Sequence, residues 1–148
     1  MLIVNGRHNG RQIFCNVVLM PIQNLDGIGS DISASAPNLQ VLKALVDTGA
    51  TDTNIAPSVV QKLNLAPVGM RDVSHGGGSD SRMYYLFNVG FLNDANDVSQ
   101  MIIPSVPIEG IELPNNNFQF DVILGMDVLS QGRLVVTGHR FEFTLPVS

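Results

Sequence analysis

The sequence predicts a mostly-β domain with one or two short helices, and three observations lead there. Val, Ile and Phe are plentiful, and these residues suit the half-buried, pleated surface of a strand. The 14 Gly and 8 Pro interrupt the chain often, which favours short strands and turns over long helices. Hydrophobic residues make up 45% and charged residues 14%, the balance of a folded core rather than of a disordered segment. A length of 148 residues fits a single domain spanning 1–148.

Met1 to Val4 is short and apolar, and Asn5 to Arg11 is polar with turn signals at Asn5-Gly6 and Asn9-Gly10. Gln12 to Ile22 reads as a strand. Gln23 to Gln40 is rich in Gly, Ser, Asn and Asp and reads as an exposed loop, longer than the usual connection. Val41 to Val46 is a second buried strand. Pro57 to Leu63 has helical spacing, with Pro at a favourable first-turn position and Val59, Val60 and Leu63 on its apolar side. Met70 to Phe91 reads as a hairpin whose tip holds Gly76, Gly77 and Gly78. Three consecutive glycines are costly in backbone entropy unless the tip must bend or move. Gln100 to Val106 reads as a further strand, bounded by prolines at 104, 107 and 114. Asn115 to Asn117 is a loop, and Arg133 to Leu145 alternates around Thr137-Gly138 as a terminal hairpin.

Bulk chemistry excludes several classes of function. The formal net charge is -5 and no Lys/Arg cluster is present in the sequence, which disfavours nucleic acid as a partner. No run approaches about 18 apolar residues and no basic, then apolar, leader opens the chain, so the expectation is a cytoplasmic protein without a membrane partner. Cys15 is the one cysteine, which rules out an intrachain disulfide. His8, His75 and His139 lie far apart and in no metal-ligand spacing, so neither a metal nor another cofactor is expected. No Gly-Lys-Ser/Thr pattern accompanies the three glycines, which argues against a phosphate-cradling loop.

The most informative stretch is Leu45-Val46-Asp47-Thr48-Gly49-Ala50, an apolar run that ends in an acid, a hydroxyl and a glycine. A carboxylate directly after a buried strand is costly unless something needs it there. A second motif, Phe120-Asp121-Val122-Ile123-Leu124-Gly125-Met126-Asp127-Val128-Leu129, follows about 75 residues later. Together, in this order, the two motifs resemble the active-site loop (45–54) and the Leu-Gly-x-Asp segment (122–129) of retropepsin-like aspartic proteases.

The resemblance implies a single-domain acid-protease barrel, active as a homodimer, that hydrolyses peptide bonds through a water held between two carboxylates. One chain has a single Asp-Thr-Gly, so each protomer supplies one Asp47 across a two-fold axis. One carboxylate acts as base while its protonated partner polarises the peptide carbonyl. It also implies that Thr48 braces the dyad, that Gly49 offers backbone to an extended peptide or protein substrate, and that Gly76, Gly77 and Gly78 tip a flap (70–91) over that substrate. Ala50, Asp52, Ile55 and Ile123 are the further expected substrate contacts. The strand ending at Ile123-Leu124 is expected to pack beneath the Asp loop, with Gly125 permitting close approach and a short helix starting near Met126. Alanine at position 50 has no hydroxyl to donate to the dyad, which extends expected activity toward about pH 5 to 7. Retroviral enzymes place an acid and an arginine where Thr51 and Met126 stand, and here both charges are missing together, so neither is left unpaired. The rival reading is a catalytically silent retropepsin-fold module for dimerisation or peptide binding, against which the intact Asp-Thr-Gly-Ala argues.

Overall fold

Six strands close into a barrel, and the reason lies in one long strand that pairs three times. The computed structural model describes residues 2–22, 40–92 and 106–146. In chain order the elements are β1 (Leu2–Arg7), β2 (Ile13–Pro21), β3 (Leu42–Val46), β4 (Asn54–Ile55), α1 (Pro57–Lys62), β5 (Gly69–His75), β6 (Gly78–Phe91), β7 (Ile108–Glu112), β8 (Val122–Leu124), α2 (Met126–Leu129), β9 (Arg133–Thr137) and β10 (Arg140–Leu145). The larger sheet runs β2-β3-β8-β4-β7-β6-β5, and β6 also pairs with β2, so the first six of these strands form a ring with β5 outside it. The 14 residues of β6 make this possible: its first half pairs with β5, Tyr84 to Phe87 with β7, and Phe87 to Phe91 with β2.

Alternation of side chains directs the core. Tyr85, Phe87, Val89 and Phe91 of β6 are buried, and they meet Val17 and Leu19 of β2, Leu42 and Ala44 of β3, and Val122 and Leu124 of β8. This is the two-residue period of a strand with one face inward. Complete burial of each Val, Leu or Phe contributes about 1.5–3 kcal/mol relative to exposure, so the ring interior dominates the stability. α1 begins with Pro57 in its first turn and buries Val59, with Val60 and Leu63 packed on the core, as its spacing predicts. Asn116 Oδ1 accepts the Ser58 N–H at 2.8 Å and so satisfies a donor of the helix's first turn.

A three-stranded sheet, β1-β10-β9, stands beside the barrel. It carries Phe141, Phe143 and Leu145 inward, and the Phe143 ring meets that of Phe91 at 5.3 Å between centroids. The terminal hairpin forms as expected, with its turn at Gly138-His139.

Three expectations need correction or fall elsewhere. Asn5-Gly6 is not a turn: both residues lie within β1, in register with Glu142 and Phe141 of β10. Long-range pairing outweighs the local turn preference there, and the turn falls at Asn9-Gly10. At that turn Gly10 has φ +86° and Asn9 Oδ1 accepts the Arg11 and Gln12 N–H groups at 2.9 and 2.7 Å. The strand expected at Gln100 to Val106 lies outside the described residues apart from Val106, which is not in a strand, whereas Ile108–Glu112 does form one. The loop expected at Gln23 to Gln40 lies, apart from Gln40, outside the described residues. No helix among the described residues is long and apolar enough to cross a membrane.

Two buried protons tie stability to pH. Cys15 packs against the core, and burial pushes its thiol from 9.0 up to about 12. Tyr85 is pushed from 10.0 up to about 12, first by burial, then by its hydrogen bond to Glu112 and by the charge of that carboxylate. The unfolded chain releases both protons at lower pH than the folded one, so over this window it binds fewer protons and stability falls as pH rises. The urea midpoint is expected to fall above about pH 9, with a shallower decline in Cys15→Ala and Tyr85→Phe. A midpoint that holds constant to about pH 11 would contradict this account.

Candidate active site

Asp47 is the first residue past β3, and the barrel fixes where it stands. β3 and β8 run parallel, with Leu45 opposite Ile123 and Val46 opposite Leu124. The Asp47 N–H continues that ladder by donating to the Leu124 carbonyl at 3.0 Å. The chain then turns sharply: Ala50 N–H donates to the Asp47 carbonyl at 3.2 Å, and Gly49 N–H donates to Asp47 Oδ1 at 2.9 Å. Asp47 is half-buried, whereas Thr48 and Gly49 are exposed. No cation pairs with its carboxylate among the described residues.

The corner between β8 and α2 holds this loop from below. Met126 N–H donates to the Ala50 carbonyl at 2.8 Å and Asp127 N–H to the Thr51 carbonyl at 3.2 Å. Gly125 has to be a glycine because a Cβ there would lie 2.5 Å from the Asp52 carbonyl oxygen and 3.0 Å from that of Ala50. The close approach expected at this residue is therefore present, and so is the short helix from Met126.

Sequence reasoning missed two residues of this corner, Thr53 and Asp127. Thr53 is completely buried. Its hydroxyl donates to Asp127 Oδ1 at 2.7 Å and accepts the Gly125 N–H at 3.2 Å, while its N–H donates to Asp127 Oδ2 at 3.0 Å. Asp127 Oδ1 also takes the Val128 N–H at 2.8 Å. The carboxylate is thus a half-buried acceptor with both oxygens hydrogen-bonded, the condition under which a charge tolerates partial burial. Asp127 stands in the Leu-Gly-x-Asp motif, but no local pattern in the sequence ties it to Thr53.

The structure brings Asp47, Thr48, Gly49 and Ala50 into one turn, with Ile123 of β8 half-buried beneath it. Asp52 is half-buried, and its carbonyl also accepts from Asn54 Nδ2 at 2.9 Å. Ile55 is placed elsewhere: it is fully buried in the barrel core, so within one protomer its side chain does not reach the open face. Gly76, Gly77 and Gly78 sit at the exposed tip of the β5–β6 hairpin, where His75 pairs with Gly78 around a two-residue turn. Among the described residues β5 pairs with β6 alone. At its base Arg71 forms an ion pair with Glu109 of β7 and lies 4.9 Å over the Tyr84 ring. Among the described residues no group of three or more His, Cys, Asp or Glu is placed to hold a metal ion.

These features agree with the comparisons to known proteins. The aspartyl protease family model matches residues 34–128, well over half of the chain, and the chain belongs to that family. No curated protein matches it by sequence. Among solved structures, it is similar to a retropepsin-like aspartic protease from Rickettsia conorii, at 14% identity and a TM-score of 0.57 over 96% of this chain and 88% of that one. A second similarity is to the retroviral protease-like domain of Ddi1 from Leishmania major, at 17% identity and a TM-score of 0.44 over 84% and 81% of the two chains. The fold is retropepsin-like, as the two sequence motifs imply.

The corner makes a direct prediction. Asp127→Ala leaves the buried Thr53 hydroxyl and N–H without acceptors and is expected to cost about 2–4 kcal/mol in urea unfolding. Gly125→Ala is expected to cost at least about 2 kcal/mol, because the Asp52 and Ala50 carbonyls are backbone and cannot swing away. Near-neutral behaviour of either variant would show that the corner does not hold the loop.

Proposed function

We propose that this chain is an aspartic endopeptidase, a single domain whose active form is a homodimer with one Asp47 from each protomer. The observation that carries the reading is the Asp47 carboxylate itself. It is half-buried on a turn held by Leu124, Gly49 and the β8–α2 corner, and no cation among the described residues neutralises it. A carboxylate held at that cost suits chemistry that uses it. Aspartic peptidase chemistry needs two such groups, about 3 Å apart and sharing one proton. One protomer has only one Asp-Thr-Gly, so a second copy is the simplest source of the other.

In this reading one carboxylate removes a proton from water as the water attacks the peptide carbonyl. The other, protonated, donates a hydrogen bond to the developing oxyanion. The proton taken from water then passes to the leaving amine as the C–N bond breaks. Thr48 and Gly49 face outward beside the carboxylate, in position to meet the partner loop and the substrate backbone. An extended peptide would lie along this floor and accept main-chain hydrogen bonds as an added strand does. The β5–β6 hairpin acts as the flap, since it is joined to the barrel through one strand edge and ends in glycines. Met126, 42% exposed beside the loop, and the exposed Thr51 supply an uncharged surface for the partner.

Cleavage of casein from about pH 4 to 7.5, by wild type and Asp47→Asn, tests the proposal. Wild type is expected to cleave and Asp47→Asn to lose at least about a thousandfold of the rate while still dimerising in sedimentation. Specific activity is expected to rise with protein concentration, because only the dimer holds two carboxylates. A pepstatin-type inhibitor is expected to bind wild type and to bind Asp47→Asn more weakly. Equal cleavage by both proteins would assign the activity to other residues. A folded dimer that neither cleaves nor binds the inhibitor would leave a peptide-binding or dimerisation module.

A further inference from the structure

A cavity of about 290 Å³ lies between the small sheet and the barrel, apart from the Asp47 loop, and two cations, Arg7 and Lys43, line it. It is lined by Asn5 and Arg7 of β1, Phe14, Cys15 and Asn16 of β2, and Lys43 of β3, among others, with no carboxylate in its wall. The volume is at the small end of the range for ligand pockets. In a chain of net charge -5, two cations on one cavity with no acid in its wall stand out.

The cations here are not spent on ion pairs. Of the arginines, Arg71 and Arg82 have carboxylate partners, whereas neither Arg7 nor Lys43 has one among the described residues. Lys43 Nζ stands 4.2 Å over the Phe14 ring. A ring face positions an ammonium but does not neutralise it, and it leaves the N–H donors available. The nearby Asp121 carboxylate accepts the Lys43 backbone N–H, at 3.0 Å, and Glu142 lies in register with Asn5 rather than with Arg7.

Register adds a second observation. Arg7 of β1 stands directly opposite Arg140 of β10, a cross-strand pair of like charges that destabilises a sheet unless something answers it. The next residue, His8, accepts the Gly10 N–H at Nδ1, which leaves Nε2 as the protonated nitrogen. That Nε2 is buried and has no partner. Both arginines are exposed, so solvent screens their repulsion, and neither Arg140 nor His8 lines the cavity, whose own positive charge comes from Arg7 and Lys43. The Cys15 thiol, pushed up to about 12 by burial, remains neutral and contributes apolar wall rather than a nucleophile.

We propose that this cavity binds a small molecule bearing an oxyanion, a carboxylate or a phosphate group, whose charge is met by Lys43 and Arg7. Asn5 offers an additional polar group beside it. The site is independent of the peptidase reading, since none of its residues belongs to the Asp47 loop.

Titration of the full chain at low ionic strength, followed by amide NMR, provides the test. The probes are inorganic phosphate, phenyl phosphate and benzoate, with sodium chloride at matched ionic strength as control. At least one oxyanion is expected to bind saturably, with the largest shifts at residues 5–7, 14–16 and 43. Preference among the three probes then tells phosphate from carboxylate. Lys43→Gln and Arg7→Gln are each expected to weaken binding about tenfold, as loss of a charge-assisted hydrogen bond does. Lys43→Arg, which keeps the charge, is expected to retain it, and Lys62→Gln on α1 to leave it unchanged. Circular dichroism of each variant separates lost binding from lost folding. Absence of saturation with all three probes, shifts matched by sodium chloride, or equal weakening by Lys62→Gln would overturn the proposal.

Discussion

The structure depends most on the crossing between the loop after β3 and the corner between β8 and α2. Two segments more than seventy residues apart in sequence approach so closely there that a single Cβ at Gly125 would collide with the Asp52 carbonyl. Such proximity leaves no room for water between them, so each polar group must find its partner within the crossing. Thr53 and Asp127 meet that demand: one hydroxyl and one carboxylate satisfy Gly125, Thr53 and Val128 together. The ladder from Leu124 to Asp47 then inherits its rigidity from the crossing, and the carboxylate is held by a scaffold rather than by its own loop. Preorganisation of this kind is what a group needs if it is to act without reorganising during the reaction.

The same scaffold explains why one protomer is incomplete in this reading. The barrel is closed by its own strands, so the Asp47 turn lies on its outside rather than in an interior cleft between two lobes. Thr48, Gly49 and Met126 are left facing outward around a half-buried acid. Among the described residues the hairpin contributes little enclosure within one chain, because β5 pairs there with β6 alone and Met70 and Met83, opposite each other in register, are 61% and 42% exposed. An apolar cross-strand pair that faces solvent is a surface awaiting contact. A second copy and an extended peptide would cover what the first copy leaves open.

Much of this was legible in the sequence because local pattern and global fold agree along most of the chain. Gln12–Ile22, Val41–Val46, Pro57–Leu63, the glycine-tipped hairpin and the terminal hairpin all appear within a residue or two of where alternation, Pro and Gly place them. The failures have physical causes. Asn5-Gly6 carries a strong local turn signal, yet β10 offers a full register of partners to β1, and a local preference of this size does not outweigh that pairing. β4 is two residues long, so no periodicity exists to detect, and its identity comes entirely from pairing with β7 and β8. Ile55, a substrate contact by the resemblance, is completely buried in β4 and belongs to the core within one protomer. The role of Thr53 and Asp127 is invisible to any local rule, since it exists only where the two motifs cross.

Ala50 shows how the crossing bears on chemistry as well as on shape. Its N–H is given to the Asp47 carbonyl and its own carbonyl receives the Met126 N–H, so both backbone groups are committed to the turn. With no hydroxyl on its side chain, it has nothing further to donate toward the carboxylate. Among the described residues the direct donor to the Asp47 carboxylate is the Gly49 N–H, on Oδ1. In the proposed dimer the other oxygen would face its symmetry mate, so the approach of the second protomer, and not a further donor within the first, would complete the site.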